Sequence, residues 1–195
     1  MTRRLAIALV HYPVLDQQRA VVTTAVTNLD VHDLARSART YGCSDYFVVH
    51  PIAAQRELVG RILAHWADGS SGRRIPDRKV ALELVRVVAS MDDALGALGG
   101  RDAVEVWVTA AREVGPPLAF AEARARLEAQ GESGTDGKPV LLVFGTGWGL
   151  APAVIDAADA AIEPIRAAVP SGYNHLSVRA ACAIALDRLR GARAS

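Results

Sequence analysis

The chain is short of several things at once. Its 195 residues include two cysteines, Cys43 and Cys182, and two lysines, Lys79 and Lys138. Two thiols without metal-ligand spacing exclude a disulfide-framed module and a cysteine zinc site, and a reducing, cytoplasmic setting is expected. The histidines His11, His32, His50, His65 and His175 lack zinc-like spacing as well, so no metal is expected. No apolar run approaches the roughly 20 residues needed to cross a membrane. The run Leu5-Ala-Ile-Ala-Leu-Val10 follows Arg3 and Arg4 but leads straight into His11, Tyr12 and Pro13. Without a small-residue cleavage site, it reads as a first buried strand and not as a signal peptide. Nor is there an excess of one charge: 22 basic against 21 acidic residues leave a formal +1. That excludes a polybasic tail, so any nucleic-acid contact must rest on a local patch. Basic charge is carried almost wholly by arginine, whose planar fork suits phosphate, although a GC-rich genome produces the same bias.

What is present is a core. Hydrophobic residues make up 51% of the chain, enough for one domain spanning 1–195. Short apolar runs at 5–10, 46–50, 82–89, 104–109 and 140–144 are rich in Val, Leu and Ile, as strands buried on both faces are. Helical patterns follow at 31–40, 53–66, 91–98 and 117–129, and a last one at 176–189 ends near Gly191. Asp30 is the expected cap of the first helix, and Ser90 with Asp92 and Asp93 suits the start of the third. The alternation predicts an α/β fold with a mainly parallel sheet covered by helices. The stretch 68–79, rich in Gly and Arg, reads as a loop, and 131–138 as a polar surface connection.

Three stretches carry possible chemistry. In Asn28-Leu-Asp-Val-His-Asp-Leu-Ala-Arg-Ser-Ala-Arg-Thr-Tyr-Gly42, helical spacing puts Asp33, Arg36 and Thr40 on one face, which by itself describes an ordinary amphipathic helix. Phe144-Gly-Thr-Gly-Trp-Gly-Leu150 follows an apolar strand, and its glycines allow close backbone approach to a ligand. It comes too late for a dinucleotide fingerprint, which opens the first βα turn. Ser171-Gly-Tyr-Asn-His-Leu-Ser-Val-Arg-Ala-Ala-Cys182 runs from a polar turn into an apolar helix, and Asn174 with Ser177 could simply cap it.

In order and content the three resemble the signature motifs of the SpoU-type SPOUT RNA methyltransferases. Arg36-Ser-Ala-Arg-Thr-Tyr-Gly42 is similar to the first, Gly145-Thr-Gly-Trp-Gly-Leu150 to the second and Asn174-His-Leu-Ser177 to the third. Two departures stand out: a glutamate usual in the second motif is absent, and Asp30 stands where the first motif has asparagine, Asn28 lying two residues earlier. The chain resembles most a small bacterial branch encoded beside, or fused to, TrmD-type tRNA methyltransferases, through these stretches and His11-Tyr-Pro-Val14.

The resemblance implies a deep C-terminal trefoil knot, a homodimer, and S-adenosylmethionine bound among three segments. These are the strand end at Thr109 and Ala110, the turn formed by Phe144, Gly145, Thr146, Gly147, Trp148, Gly149 and Leu150, and the stretch with Ile162, Pro164, His175 and Leu176. It implies methylation of RNA, tRNA foremost, at a ribose 2′-hydroxyl. Arg36 would orient that hydroxyl, with Asn174, Ser177, Asn28 and Asp33 completing the catalytic set. An arginine is a poor base because its guanidinium stays protonated far above neutral pH, so the group that removes the proton stays open. Arg39, Arg73, Arg74, Arg78 and Lys79 would gather RNA phosphates, and Tyr173 and Arg179 are further candidates; solvated helix or loop surfaces are the plainer alternative for all of these. Trp66, Trp107 and Trp148 are expected to pack. The apolar faces of the first and last helices are expected at the dimer interface. The alternatives are methylation of a base nitrogen, with Asp30, Asp33 or Glu163 as the carboxylate, a knotted RNA-binding module without catalysis, and a flavodoxin-like phosphate binder.

Overall fold

The computed structural model describes residues 2–129, 137–168 and 173–192, without the side chain of Ser71. In chain order the elements are β1 (Leu5–Val10), β2 (Val14–Leu15), β3 (Val21–Val22), α1 (Asn28–Thr40), β4 (Tyr46–Val49), α2 (Ala53–Asp68), α3 (Ser70–Arg74) and α4 (Pro76–Leu82). There follow β5 (Val85–Val88), α5 (Met91–Ala97), a 3-10 turn (Arg101–Ala103), β6 (Glu105–Val108), β7 (Pro117–Leu118), α6 (Phe120–Glu128), β8 (Val140–Gly145), α7 (Pro152–Asp156), β9 (Ala160–Ile162) and α8 (Val178–Arg190).

Seven strands form one sheet in the order β5-β4-β1-β8-β6-β9-β7, and every pairing in it is parallel. The central β1 has no polar residue because both its faces are covered. Leu5, Ile7 and Leu9 pack with α1, α6 and α8, while Ala6, Ala8 and Val10 face the side closed by α5 and α7. This is the expected α/β architecture, a mostly parallel sheet flanked by helices. Among the described residues no helix is long and apolar enough to cross a membrane.

Several local expectations are corrected. Thr27, not Asp30, caps α1: its hydroxyl oxygen accepts from the Asp30 amide and its hydroxyl hydrogen goes to the Asp30 carboxylate, leaving Asp30 in the first helical turn. Residues 68–79 are largely helical. Pro76 opens α4 at a position where its missing N–H costs nothing, and the Arg78 guanidinium stacks over Trp66 at 5.0 Å. Leu82 accordingly ends a helix and does not begin a strand, and Pro117–Leu118 is a strand before the helix expected there. The Ser90–Asp93 capping box and the stop at Gly191 are as expected. Residues 131–136 of the polar connection, and Ser171 and Gly172 of the third stretch, lie outside the described residues.

The helix faces expected at a dimer interface are used within the chain. Val31, Leu34, Ala35 and Ala38 of α1 share one core with Cys182, Ala185, Leu186 and Leu189 of α8. Both cysteines are free and buried, and burial pushes the Cys43 thiol up to about 12.

Candidate active site

Parallel sheets of this kind open a crevice at the carboxyl ends of their strands. Here β8 runs into the glycine turn, and the turn is laced to the β2–β3 hairpin. The Trp148 amide donates to the Leu15 carbonyl at 2.8 Å, the Leu15 amide to Gly149 at 2.9 Å, and the Ala151 amide to Pro13 at 3.2 Å. Two glycines make this possible. Gly147 is left-handed at φ +58°, and a Cβ there would lie 2.8 Å from the Leu15 carbonyl oxygen; one on Gly145 would lie 2.8 Å from the Leu150 amide nitrogen. Backbone therefore occupies the space that side chains would need.

Beside the turn lies a cavity of about 800 Å³, within the range of small-molecule sites. The three segments singled out in the sequence meet on it: Thr109 and Ala110 after β6, all of residues 144–150, and Ile162, Asn174, His175, Leu176 and Ser177 ahead of α8. Pro164 is buried but is not on the wall. Asn174 acts as a staple, its amide donating to the carbonyls of Ala111 at 3.0 Å and Ile165 at 2.9 Å. Ser177 caps α8 through the Ala180 amide. Trp148, expected to pack, is 54% exposed and meets the His175 ring edge-on at 6.2 Å; Trp107, by contrast, is fully buried. Backbone and small polar groups next to aliphatic walls fit an adenosine-bearing ligand, which needs close approach more than it needs charge.

Thr24, unmarked in the sequence, joins the wall through a one-way relay. The Thr146 hydroxyl donates to the Val10 carbonyl at 3.1 Å, so its contact with Thr24 at 2.5 Å must be donated by Thr24. Thr24 has no second hydrogen, so His11 must carry its proton on Nδ1, 3.0 Å away. Nε2 of His11 is then a bare lone pair, buried and without a partner among the described residues. The stacked His50 is neutral by the same logic: its Nδ1 accepts from the Ile52 amide while Nε2 donates to the Thr24 carbonyl.

Burial and the neighbouring His50 lower the His11 pKa to about 4, and burial lowers that of His50 also. A histidine depressed in the fold takes up its proton first when unfolded, so stability is constant above about pH 6.5 and falls as pH drops toward 4. With His11 0% exposed, linkage gives a loss of roughly 2 kcal/mol from this residue alone by pH 5. Urea unfolding at pH 7 and pH 5 measures it, and a His11→Gln variant should lose that part of the slope.

The α1 residues divide. Asp30 is 5% exposed, lines the cavity and is held by Arg179 at 2.9 Å, by Thr27 and by its place in the first turn of α1. Arg179 also reaches Asp33 at 3.5 Å and so ties α8 to α1. Arg36, expected at the reaction centre, is 61% exposed, sits 4.0 Å from Asp33 and does not line the cavity; nor do Asn28 and Asp33. Helical geometry explains this, because the turn carrying Arg36 points past the cavity that the turn carrying Asp30 faces. Glu163 is on the wall and accepts from the Phe120 amide at 2.7 Å. Of the residues expected to gather RNA, Arg39, Arg73 and Arg74 are exposed. Arg78 stacks on Trp66, and Lys79 donates to the Ala67 carbonyl at 2.9 Å.

A tRNA (guanine-N(1)-)-methyltransferase of Oleidesulfovibrio alaskensis is 42% identical over 191 residues, covering 97% of this chain but 42% of that protein. The chain thus spans less than half of that relative. An uncharacterized protein of Aquifex aeolicus is 35% identical over 186 residues, covering 94% of the chain and 86% of the relative. Among solved structures, the A. aeolicus TrmH/SpoU tRNA modifying enzyme superposes with a TM-score of 0.55 at 14% identity, over 97% of this chain and 76% of that one, a likeness of fold. A family model described as SAM-dependent RNA methyltransferase matches residues 4–191. The chain belongs to that family, the SAM-dependent RNA methyltransferases.

Proposed function

We propose that this domain, acting as one unit, methylates a base nitrogen of tRNA, with guanine N1 as the acceptor atom and the cofactor seated in the cavity. The observation that carries the reading is the carboxylate of Asp30 on the cavity wall, where the ribose reading would need Arg36. The name of the Oleidesulfovibrio relative points the same way, and base-nitrogen methylation fits the relatives better than the ribose 2′-hydroxyl that the motif resemblance implies. Bound S-adenosylmethionine supplies a methyl group on a sulfonium, whose sulfur leaves as a neutral thioether. The chain holds the acceptor in line and takes its proton. Asp30 receives the N1 hydrogen as the N1 lone pair forms the new N–C bond. Arg179 and Thr27 keep that carboxylate in place, since each binds one of its oxygens and leaves each oxygen a free lone pair. Glycine backbone and the Leu176 and Ile162 side chains would hold the cofactor.

The deep knot, the homodimer and a cytoplasmic setting belong to the same proposal. With the inner faces of α1 and α8 used in the core, exposed Leu29, Tyr12 and Ile52 supply apolar surface for a second copy. Arg39, Arg73 and Arg74 would meet RNA phosphates.

The test is incubation of the protein with bulk bacterial tRNA and methyl-labelled S-adenosylmethionine, followed by nucleoside mass spectrometry. Label on the guanine base is expected. Label on ribose would restore the ribose reading, and unlabelled tRNA would overturn both.

A further inference from the structure

Three arginines line the cavity, Arg19, Arg112 and Arg179, against two carboxylates, Asp30 and Glu163. Arg179 is committed to Asp30 and Asp33. Arg19 and Arg112 are exposed, and their guanidinium groups make no hydrogen bond or ion pair among the described residues. The wall therefore holds two uncommitted cations, and Arg19 is the unusual one. Among the described residues it is the sole non-glycine with a positive φ, at 68°.

The tight turn between β2 and β3 imposes that conformation. The Asp16 amide donates to the Ala20 carbonyl at 3.0 Å, the Arg19 amide to the Asp16 carbonyl at 3.1 Å, and the Ala20 amide to the Asp16 carboxylate at 2.9 Å. Glycine or asparagine fills such a position without strain, and a long cation does not. Strain carried at a cavity rim by a side chain with no partner among the described residues calls for a partner outside the chain. The hairpin bearing Arg19 is laced to the glycine turn through Leu15, so Arg19 and the exposed Trp148 indole stand on one ledge.

We infer that the Arg19–Trp148 ledge is the seat of the target nucleotide: the guanidinium takes a phosphate oxygen pair of the RNA strand, and the indole takes the face of an unstacked base. A planar fork matches phosphate, and an exposed aromatic face is how proteins hold single-stranded bases. The inference rests on RNA being the substrate. A base whose nitrogen is methylated must leave its stack to be reached.

Two variants test it. Arg19→Gly removes the cation while relieving the left-handed backbone, and Trp148→Ala removes the ring. Binding of bulk bacterial tRNA is followed by fluorescence anisotropy over a salt series, with S-adenosylhomocysteine calorimetry and thermal unfolding in parallel. Arg19→Gly should weaken tRNA binding about tenfold at low salt and flatten the log K against log salt slope by roughly one. Its unfolding midpoint should not fall, a combination that a purely structural residue does not give. Trp148→Ala should weaken binding about tenfold with the salt slope unchanged. Unchanged tRNA affinity and slope in Arg19→Gly would overturn the assignment. So would a loss of S-adenosylhomocysteine binding in that variant, which would move Arg19 to the cofactor. Wild-type protein that binds S-adenosylhomocysteine but no tRNA would instead count against the tRNA reading itself, and the ledge would fall with it.

Discussion

Gly147→Val is expected to weaken S-adenosylmethionine binding by at least about a hundredfold while the sheet stays folded. Two costs combine at this position. Valine is β-branched and resists the left-handed φ of +58°, at roughly 1–2 kcal/mol. Its Cβ would also stand 2.8 Å from the Leu15 carbonyl oxygen, which is backbone and cannot rotate away. The relief available is for the turn to lift off the hairpin, breaking the Trp148–Leu15 bond and reshaping the wall formed by residues 144–150. A hundredfold is about 2.7 kcal/mol, which the strain and the lost bond together reach. Calorimetry with S-adenosylmethionine measures the loss, and circular dichroism checks the fold. Full affinity in a folded Gly147→Val protein would place the cofactor elsewhere.

The second large effect separates the two chemistries. Asp30→Asn is expected to lower the methyl-transfer rate by about 10²–10⁴-fold, the usual range for loss of a general base. Asparagine keeps the shape: its one carbonyl oxygen can still accept from Arg179, and its amide N–H, turned toward Thr27, can donate to the hydroxyl oxygen, so the local geometry is largely retained without the charge. Arg36→Ala, on an exposed face away from the cavity, should change the rate by no more than about threefold, as surface positions usually do. Single-turnover kinetics on tRNA isolates the step. If Arg36→Ala is the inactive variant and Asp30→Asn retains its rate, the acceptor is a hydroxyl oriented by arginine. Asp33→Asn is an internal control, because Asp33 meets Arg179 but not the cavity.

The parts legible in the sequence were those with continuous patterns. The long strands, buried on both faces, stand out as apolar runs, and the glycine turn stands out because it breaks such a run at once. Strands β2, β3, β7 and β9 have two or three residues each, too few for any period to appear. The helices at 70–82 were hidden by Gly and Ser, whose weak propensity is outweighed by packing of Arg78 on Trp66. In the site, the motifs name segments that meet on one cavity, but on α1 the motif residue is not the one that lines it. Arg36 carries the motif, yet Asp30 faces the cavity, since helical phase is fixed by packing against α8 through Arg179. Thr24 and Arg19 belong to no motif, and it is the fold of a short hairpin that sets them beside the glycine turn.

The relay from His11 to Val10 gives the cavity a polarity. Each hydrogen in it is directed along the chain of acceptors, from His11 to Thr24, Thr24 to Thr146 and Thr146 to the Val10 carbonyl. The two hydroxyls can therefore meet an occupant only with lone pairs. An ammonium or a hydroxyl group is welcome at that spot, and a carboxylate is repelled unless the whole series reverses. Reversal is blocked at its far end, because a carbonyl has no proton to return. A molecule bearing both kinds of group is thus told which end to turn inward.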